Sequence, residues 1–230
     1  MSSGTFHAEK TGADAYRIGE TIPVAGFETV PAGTNVLVSG PPMVGKERLA
    51  LELLATDARD EHAIAITPDT GGDRLRRRYE TIPNVDGDRF HVIDCSGSSG
   101  KGSMSDTART KYVSSPGDLT GIGMGIVKCT RHIGAGVDDG LRLATLSLST
   151  LVRYATIDRV FNFLHTVNGR VAAADYLGVA TLDPTVHDSQ DVNTLTSLFD
   201  AVVELREADD GSVEGRVVGW RESPRTWQPF

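Results

Sequence analysis

Residues 33–54 read Gly-Thr-Asn-Val-Leu-Val-Ser-Gly-Pro-Pro-Met-Val-Gly-Lys-Glu-Arg-Leu-Ala-Leu-Glu-Leu-Leu, and the rest of the chain is organised around them. Val36, Leu37 and Val38 inside Asn35 to Ser39 predict a short buried strand. Gly40 to Lys46 then spell G-x-x-x-x-G-K, and Leu49, Leu51, Leu53 and Leu54 open a helix. A glycine loop between strand and helix is the setting in which this pattern cradles phosphate. Gly40 and Gly45 allow a sharp turn and close backbone approach, so main-chain N–H groups and the helix N-terminus face an anion. The expected cradle is Gly40, Pro41, Pro42, Met43, Val44, Gly45, Lys46 and Glu47, with Lys46 reaching the outer phosphates. Glu47 stands where a Ser or Thr hydroxyl ordinarily holds Mg²⁺. The competing reading is a Gly-Pro-Pro loop that only joins a strand to a helix.

The bulk properties bound the rest. A chain of 230 residues suits one compact α/β domain with a sizeable core. Hydrophobic content of 39% and mean hydropathy of −0.18 point to a soluble globular protein. No stretch approaches a membrane span, and Met1 to His7 lack a basic-then-apolar signal pattern, so a cytoplasmic location and no membrane partner are expected. Cys95 and Cys129 form no C-x-x-C pair and read as small buried hydrophobes. Net charge is −8 and the pI is about 5.2, which argues against nucleic-acid binding by the surface as a whole. The 5 Lys against 18 Arg, with Asp above Glu, suit a cytoplasm of very high salt; a GC-rich genome would give the same Lys-to-Arg bias.

Along the chain, residues 1–20 are polar and patternless, a lead-in to a single domain over 21–230. The helix after the glycine loop is expected to run to about Asp57. His62 to Thr67 and Phe90 to Asp94 predict two further strands, and Asp73 to Thr81 a helix whose Arg74, Arg76, Arg77 and Arg78 form a basic face. That face reads either as a solvated surface or as a phosphate or nucleic-acid contact. Residues 96–115 are rich in Ser, Gly, Thr and Lys and read as a functional loop or flexible insertion. A Gly-rich helix over Ile122 to His132 follows. Leu141 to Leu148 predicts a fourth strand, Thr156 to Asn168 a helix that Val171 to Ala174 extends, Tyr176 to Leu182 a fifth strand and Val192 to Phe199 a short helix. Val202 to Leu205 and Val213 to Trp220 predict a hairpin across Asp209-Asp210-Gly211-Ser212. Strands alternating with helices imply a mostly parallel sheet covered on both faces.

This order of elements resembles the RecA-type P-loop ATPases, specifically their KaiC-like and RadA-like archaeal branch. Ile22-Pro23, Gly26-Phe27 and Pro31-Ala32-Gly33 resemble that family's lead into the P-loop. Arg216 to Arg221 and Trp227 to Phe230 resemble its closing hairpin, so the similarity spans roughly residues 20–230. It implies an α/β RecA-like P-loop NTPase fold with a C-terminal β-hairpin, ATP as ligand with Mg²⁺, and assembly into homo- or hetero-oligomers of RecA-like subunits. Several of the family's working positions differ here. Its Mg²⁺-coordinating hydroxyl falls on Glu47. Its catalytic Glu pair falls near Pro68-Asp69, leaving Asp69 as the carboxylate. The Walker B strand aligns with Ala144-Thr145-Leu146-Ser147, which puts Leu146 where the Mg²⁺-linked Asp belongs. The hairpin's Lys-x-Arg becomes Gly219-Trp220-Arg221, keeping Arg221.

Phosphoryl transfer depends on a bridging Mg²⁺, an oriented water and positive charge at the transition state. The resemblance therefore implies an ATP- or ADP-binding protein with weak or absent hydrolysis, a regulatory or scaffold subunit. A slow ATPase in which Glu47 and Asp69 rebuild the metal and base positions is the alternative, as is a RadA-like paralogue binding DNA through the 96–115 loop. Trp220 and Trp227, with Arg221, are candidates for a contact between subunits, unless both tryptophans pack on their own sheet.

Overall fold

The glycine loop is held by a strand at the middle of a large sheet. The computed structural model describes residues 15–18, 22, 24, 26–55, 61–97, 105–134, 140–220 and 226–230. Two short strands, β1 (Ala15–Arg17) and β2 (Thr29–Pro31), form an antiparallel ribbon ahead of β3 (Asn35–Ser39). Helix α1 (Lys46–Leu54), β4 (His62–Thr67), α2 (Gly72–Tyr79), β5 (Phe90–Asp94) and β6 (Thr110–Tyr112) follow. The second half comprises α3 (Leu119–Ile133), β7 (Leu141–Thr145), α4 (Leu148–Tyr154), α5 (Ile157–Ala173) and β8 (Leu177–Leu182). It closes with α6 (Ser189–Thr196), β9 (Ala201–Glu207), β10 (Val213–Val218) and β11 (Gln228–Pro229).

The nine-stranded sheet has the order β11-β10-β9-β3-β8-β7-β4-β5-β6. From β9 to β6 every pairing is parallel, and only the β9–β10 and β10–β11 pairings, at one edge, are antiparallel, so β10 alone runs against the other strands. The interior strands are buried along their length, as a parallel sheet covered on both faces requires. One apolar core, containing Val36, Leu49, Leu53 and Val92, lies under α1, α2 and the β1–β2 ribbon. The other, containing Leu37, Ile64, Ile122 and Leu164, lies under α3 to α6. Successive side chains of β3 alternate between the two, which is how one strand of period two serves both layers.

Tyr16 of β1 is fully buried inside the stretch that composition set apart as a polar lead-in. Its hydroxyl accepts from the Leu141 N–H at 3.1 Å and lies 3.0 Å from the Asp175 carbonyl, to which it donates. Beneath its ring, 5.4 Å from the centroid, sits the guanidinium of Arg142, which is paired with Glu61 at 2.7 Å. One aromatic and one buried ion pair thus fasten the ribbon to the sheet.

Three sequence expectations are corrected. Helix α1 stops at Leu54, because Ala55 is already extended, rather than running to Asp57. The expected strand Leu141 to Leu148 is split: β7 ends at Thr145, Ser147 takes a left-handed φ of 55°, and Leu148 starts α4. The Ser147 N–H leaves the ladder for the Thr181 hydroxyl at 2.7 Å, and Leu148 and Leu151 bury on a helical face instead. An apolar run of this length does not separate strand from short helix by periodicity. The irregular 96–115 stretch contains β6, paired with β5, while its residues 98–104 lie outside the described residues. The two cysteines are buried free thiols as expected, with burial pushing Cys95 up to about 12 and Cys129 up to about 11.

Candidate phosphate site

Because β3, β8, β7 and β4 are neighbours and parallel, their C-terminal ends meet along one edge, the position where open α/β sheets bind ligands. The loop Gly40 to Gly45 leaves β3 there. Gly40 donates its N–H to the Leu182 carbonyl at 3.1 Å, and a Cβ on it would stand 2.9 Å from the Leu205 carbonyl oxygen. Gly45, the N-cap of α1, has φ 85°, open to glycine without strain. Met43 takes φ 70° at the loop's crest with its side chain 99% exposed, a left-handed conformation that costs an L residue of order 1 kcal/mol. Pro41 and Pro42 carry no N–H, so the donors available to an anion are those of Met43 onward and the first turn of α1.

Lys46 folds across this loop, its Nζ donating to the Pro41 carbonyl at 2.9 Å. Burial lowers its pKa, and the negative charges of Asp183, Glu47 and Asp69 oppose that shift. Those three carboxylates come from the ends of β8, α1 and β4, so the charge on Lys46 is the point on which the edge converges. Glu47 Oε1 accepts from Arg78 of α2 at 2.6 Å. Asp69 Oδ2 accepts from Thr150 at 3.4 Å, and the Thr150 hydroxyl also meets Ser147 Oγ at 2.7 Å. Leu146 is 1% exposed and packs in the same core as Val44 and Leu49. Of the expected site residues, Gly40 to Glu47 and Asp69 are brought to one edge; Arg221 lies outside the described residues.

Mg²⁺ needs hard oxygen ligands in octahedral array, and a phosphate-bound ion usually has one or two carboxylates as well. Here the Glu47 carboxylate is engaged by Arg78, and Leu146 offers no lone pair. Among the described residues no three His, Cys, Asp or Glu side chains are placed to hold a metal. At Glu47 and Leu146, the two positions the resemblance assigns to the metal, the side chains do not supply its usual ligands; Asp69 and Asp183 are the remaining carboxylates at this edge.

Several residues here escaped the sequence reading. Asp183 follows β8, and its N–H donates to Ser149 Oγ at 3.1 Å, while His187 Nε2 lies 2.9 Å from the same hydroxyl. An acid just past an apolar strand is a usable signal only once that strand is known to neighbour β3. Arg78 was visible only as one of four arginines on a basic helix. The two tryptophans are engaged by their own chain. Trp220 donates to the Gly26 carbonyl at 2.9 Å and stands edge-on to Phe27, and Trp227 lies between Arg206 and Arg216 at 4.2 and 4.5 Å.

The family described as "Family of unknown function (DUF7504)" matches residues 33–205. No curated protein matches the chain. A solved structure of a KaiC-like protein from the hyperthermophilic archaeon Pyrococcus horikoshii superposes with a TM-score of 0.63. The two are 15% identical, over 95% of this chain and 92% of that one. At that identity the likeness is one of fold: the chain has the KaiC-like, RecA-like α/β architecture, with an antiparallel C-terminal hairpin on a mostly parallel sheet. Among the described residues no helix is long and apolar enough to cross a membrane.

Proposed function

Since the chain belongs to the family of unknown function DUF7504 and folds like a KaiC-like protein, we propose that it binds ATP or ADP at the 40–47 loop, with weak or absent hydrolysis. One observation carries this reading. The Lys46 ammonium is held inside a glycine loop that leads from a central parallel strand into a helix N-terminus. Oriented N–H groups and a confined cation are the chemistry that recognises phosphate. Charge-assisted contacts of this kind contribute roughly 1.5–3 kcal/mol each.

The same edge supplies little for turnover. The resemblance assigns Leu146, a buried apolar side chain, to the position of the acid that holds the metal's water shell, and the Glu47 carboxylate is paired with Arg78. A positioned metal supplies several kcal/mol of transition-state stabilisation, and each 1.36 kcal/mol is about tenfold in rate. Turnover is therefore expected at least about a thousandfold below that of an ordinary P-loop ATPase on that arithmetic. A protein that binds nucleotide and scarcely spends it serves as a regulatory or scaffold subunit. The second reading, a slow ATPase with Asp69 as base, draws on the electrostatic coupling of Asp69 to Lys46. Steady-state phosphate release decides between them. Background-level release supports the first; release at about one per second or faster, lost in Lys46→Ala, overturns it.

A further inference from the structure

Glu47 is the residue after the phosphate-facing lysine, at the position whose hydroxyl in a P-loop grips the cation that bridges the outer phosphates. In this chain that position grips a cation of a different kind. Glu47 Oε1 accepts from Arg78 at 2.6 Å, which stations a guanidinium beside the place where the bridging metal belongs. We propose that Arg78 takes the part of the divalent cation, and that the loop binds nucleoside di- or triphosphate in its metal-free form. The inference rests on the nucleotide reading of the loop and adds the ionic form of the ligand.

Three features support it. First, Leu146 is buried among apolar side chains and offers a metal no lone pair, and Glu47 carries a guanidinium partner where a P-loop has a free hydroxyl. Second, the Glu47–Arg78 pair is partly exposed, with side chains 33% and 47% accessible, so Arg78 turns from carboxylate to phosphate without stranding a buried charge. A planar guanidinium accommodates phosphate oxygens in a fork, which a point charge does not. Third, the other arginines of α2 are differently disposed. Arg76 donates to the carbonyls of Phe90 and Arg109 at 3.1 and 3.2 Å and is committed to the fold, whereas Arg74 and Arg77 are exposed. Arg78 is the member of that helix directed to the loop. Metal-free polyphosphate is strongly anionic, and Glu47, Asp69 and Asp183 oppose it, so a site without a metal needs a second cation beside Lys46.

The test is calorimetric titration of the full chain with ATP and with ADP, once in EDTA and once in excess Mg²⁺. Wild type is expected to bind in EDTA within about twofold of its affinity in Mg²⁺. Arg78→Ala should weaken binding in EDTA by about tenfold, the loss of one charge-assisted contact, with Arg78→Lys intermediate. Glu47→Gln, which removes a negative charge and frees Arg78, should bind metal-free nucleotide at least as tightly as wild type. Binding at least tenfold tighter in Mg²⁺ overturns the inference and leaves nucleotide binding standing. So does an Arg78→Ala protein indistinguishable from wild type in EDTA, or a Glu47→Gln protein that binds more weakly. Wild type binding neither nucleotide in either buffer overturns the nucleotide reading as well.

Discussion

Glu61→Ala isolates the buried ion pair that seats Arg142 beneath Tyr16 of the β1–β2 ribbon. The Glu61 and Arg142 side chains are 10% and 3% accessible and pair at 2.7 Å. Truncating Glu61 leaves the Arg142 guanidinium buried without its anion, a change that costs about 3–5 kcal/mol. Arg142 keeps its donation to the Leu53 carbonyl at 3.0 Å and its place beneath the Tyr16 ring, so the loss belongs at the lower end, about 3 kcal/mol. With a urea slope near the upper end of the usual range, about 3 kcal/mol per molar, the midpoint falls by about 1 M. Equilibrium urea unfolding followed by circular dichroism reads this directly. The double variant Glu61→Ala with Arg142→Leu should recover more than half of the loss, since it removes the stranded charge. A midpoint shift below about 0.3 M refutes the reasoning. A double variant as unstable as the sum of its singles assigns the damage to packing rather than charge.

Other outcomes follow from the same geometry. His91 is buried beside His62, His132, Arg76 and Arg109, and burial first and then those charges lower its pKa to about 4. The folded state thus stays unprotonated while the unfolded chain takes up a proton below about pH 6.5, so stability falls between about pH 6.5 and 4, by up to about 3 kcal/mol. Urea midpoints measured across that range should show the fall, and His91→Leu should flatten it. Gly40→Ala forces a methyl to within 2.9 Å of the Leu205 carbonyl oxygen, and thermal unfolding should register a loss of about 1–3 kcal/mol. Leu146→Asp with Glu47→Thr should introduce Mg²⁺-dependent phosphate release, at a cost in stability because Leu146 is buried. Trp227→Ala, which empties the space between Arg206 and Arg216, should lower stability and leave the light-scattering mass unchanged with and without nucleotide.

Much of the fold was legible because its strands are short apolar runs fenced by Gly, Pro and Asp. Asn35–Ser39, His62–Thr67 and Phe90–Asp94 fall where the pattern put them. The glycine loop was legible for the same reason, its flanks being unambiguous. What the sequence hid is what depends on strand order. Nothing in residues 177–183 announces that β8 inserts between β3 and β7, and only that insertion brings Asp183 to the loop. The Glu47–Arg78 pair spans 31 positions and joins two helices that propensity places independently. Ser147 breaks an apolar run through a local backbone turn and a hydroxyl on a different strand, neither of which has a period. Tyr16 was lost in a polar stretch because one buried aromatic makes no pattern.

The central claim is that residues 40–47 bind nucleotide through Lys46, and a paired titration of wild type and Lys46→Ala with a fluorescent ADP analogue in EDTA tests it most directly. Removing the ammonium that now bonds the Pro41 carbonyl should weaken binding at least about tenfold, or 1.4 kcal/mol, without altering the circular dichroism spectrum. Wild type that fails to bind at about millimolar nucleotide, or a Lys46→Ala protein that binds as wild type does, contradicts the account.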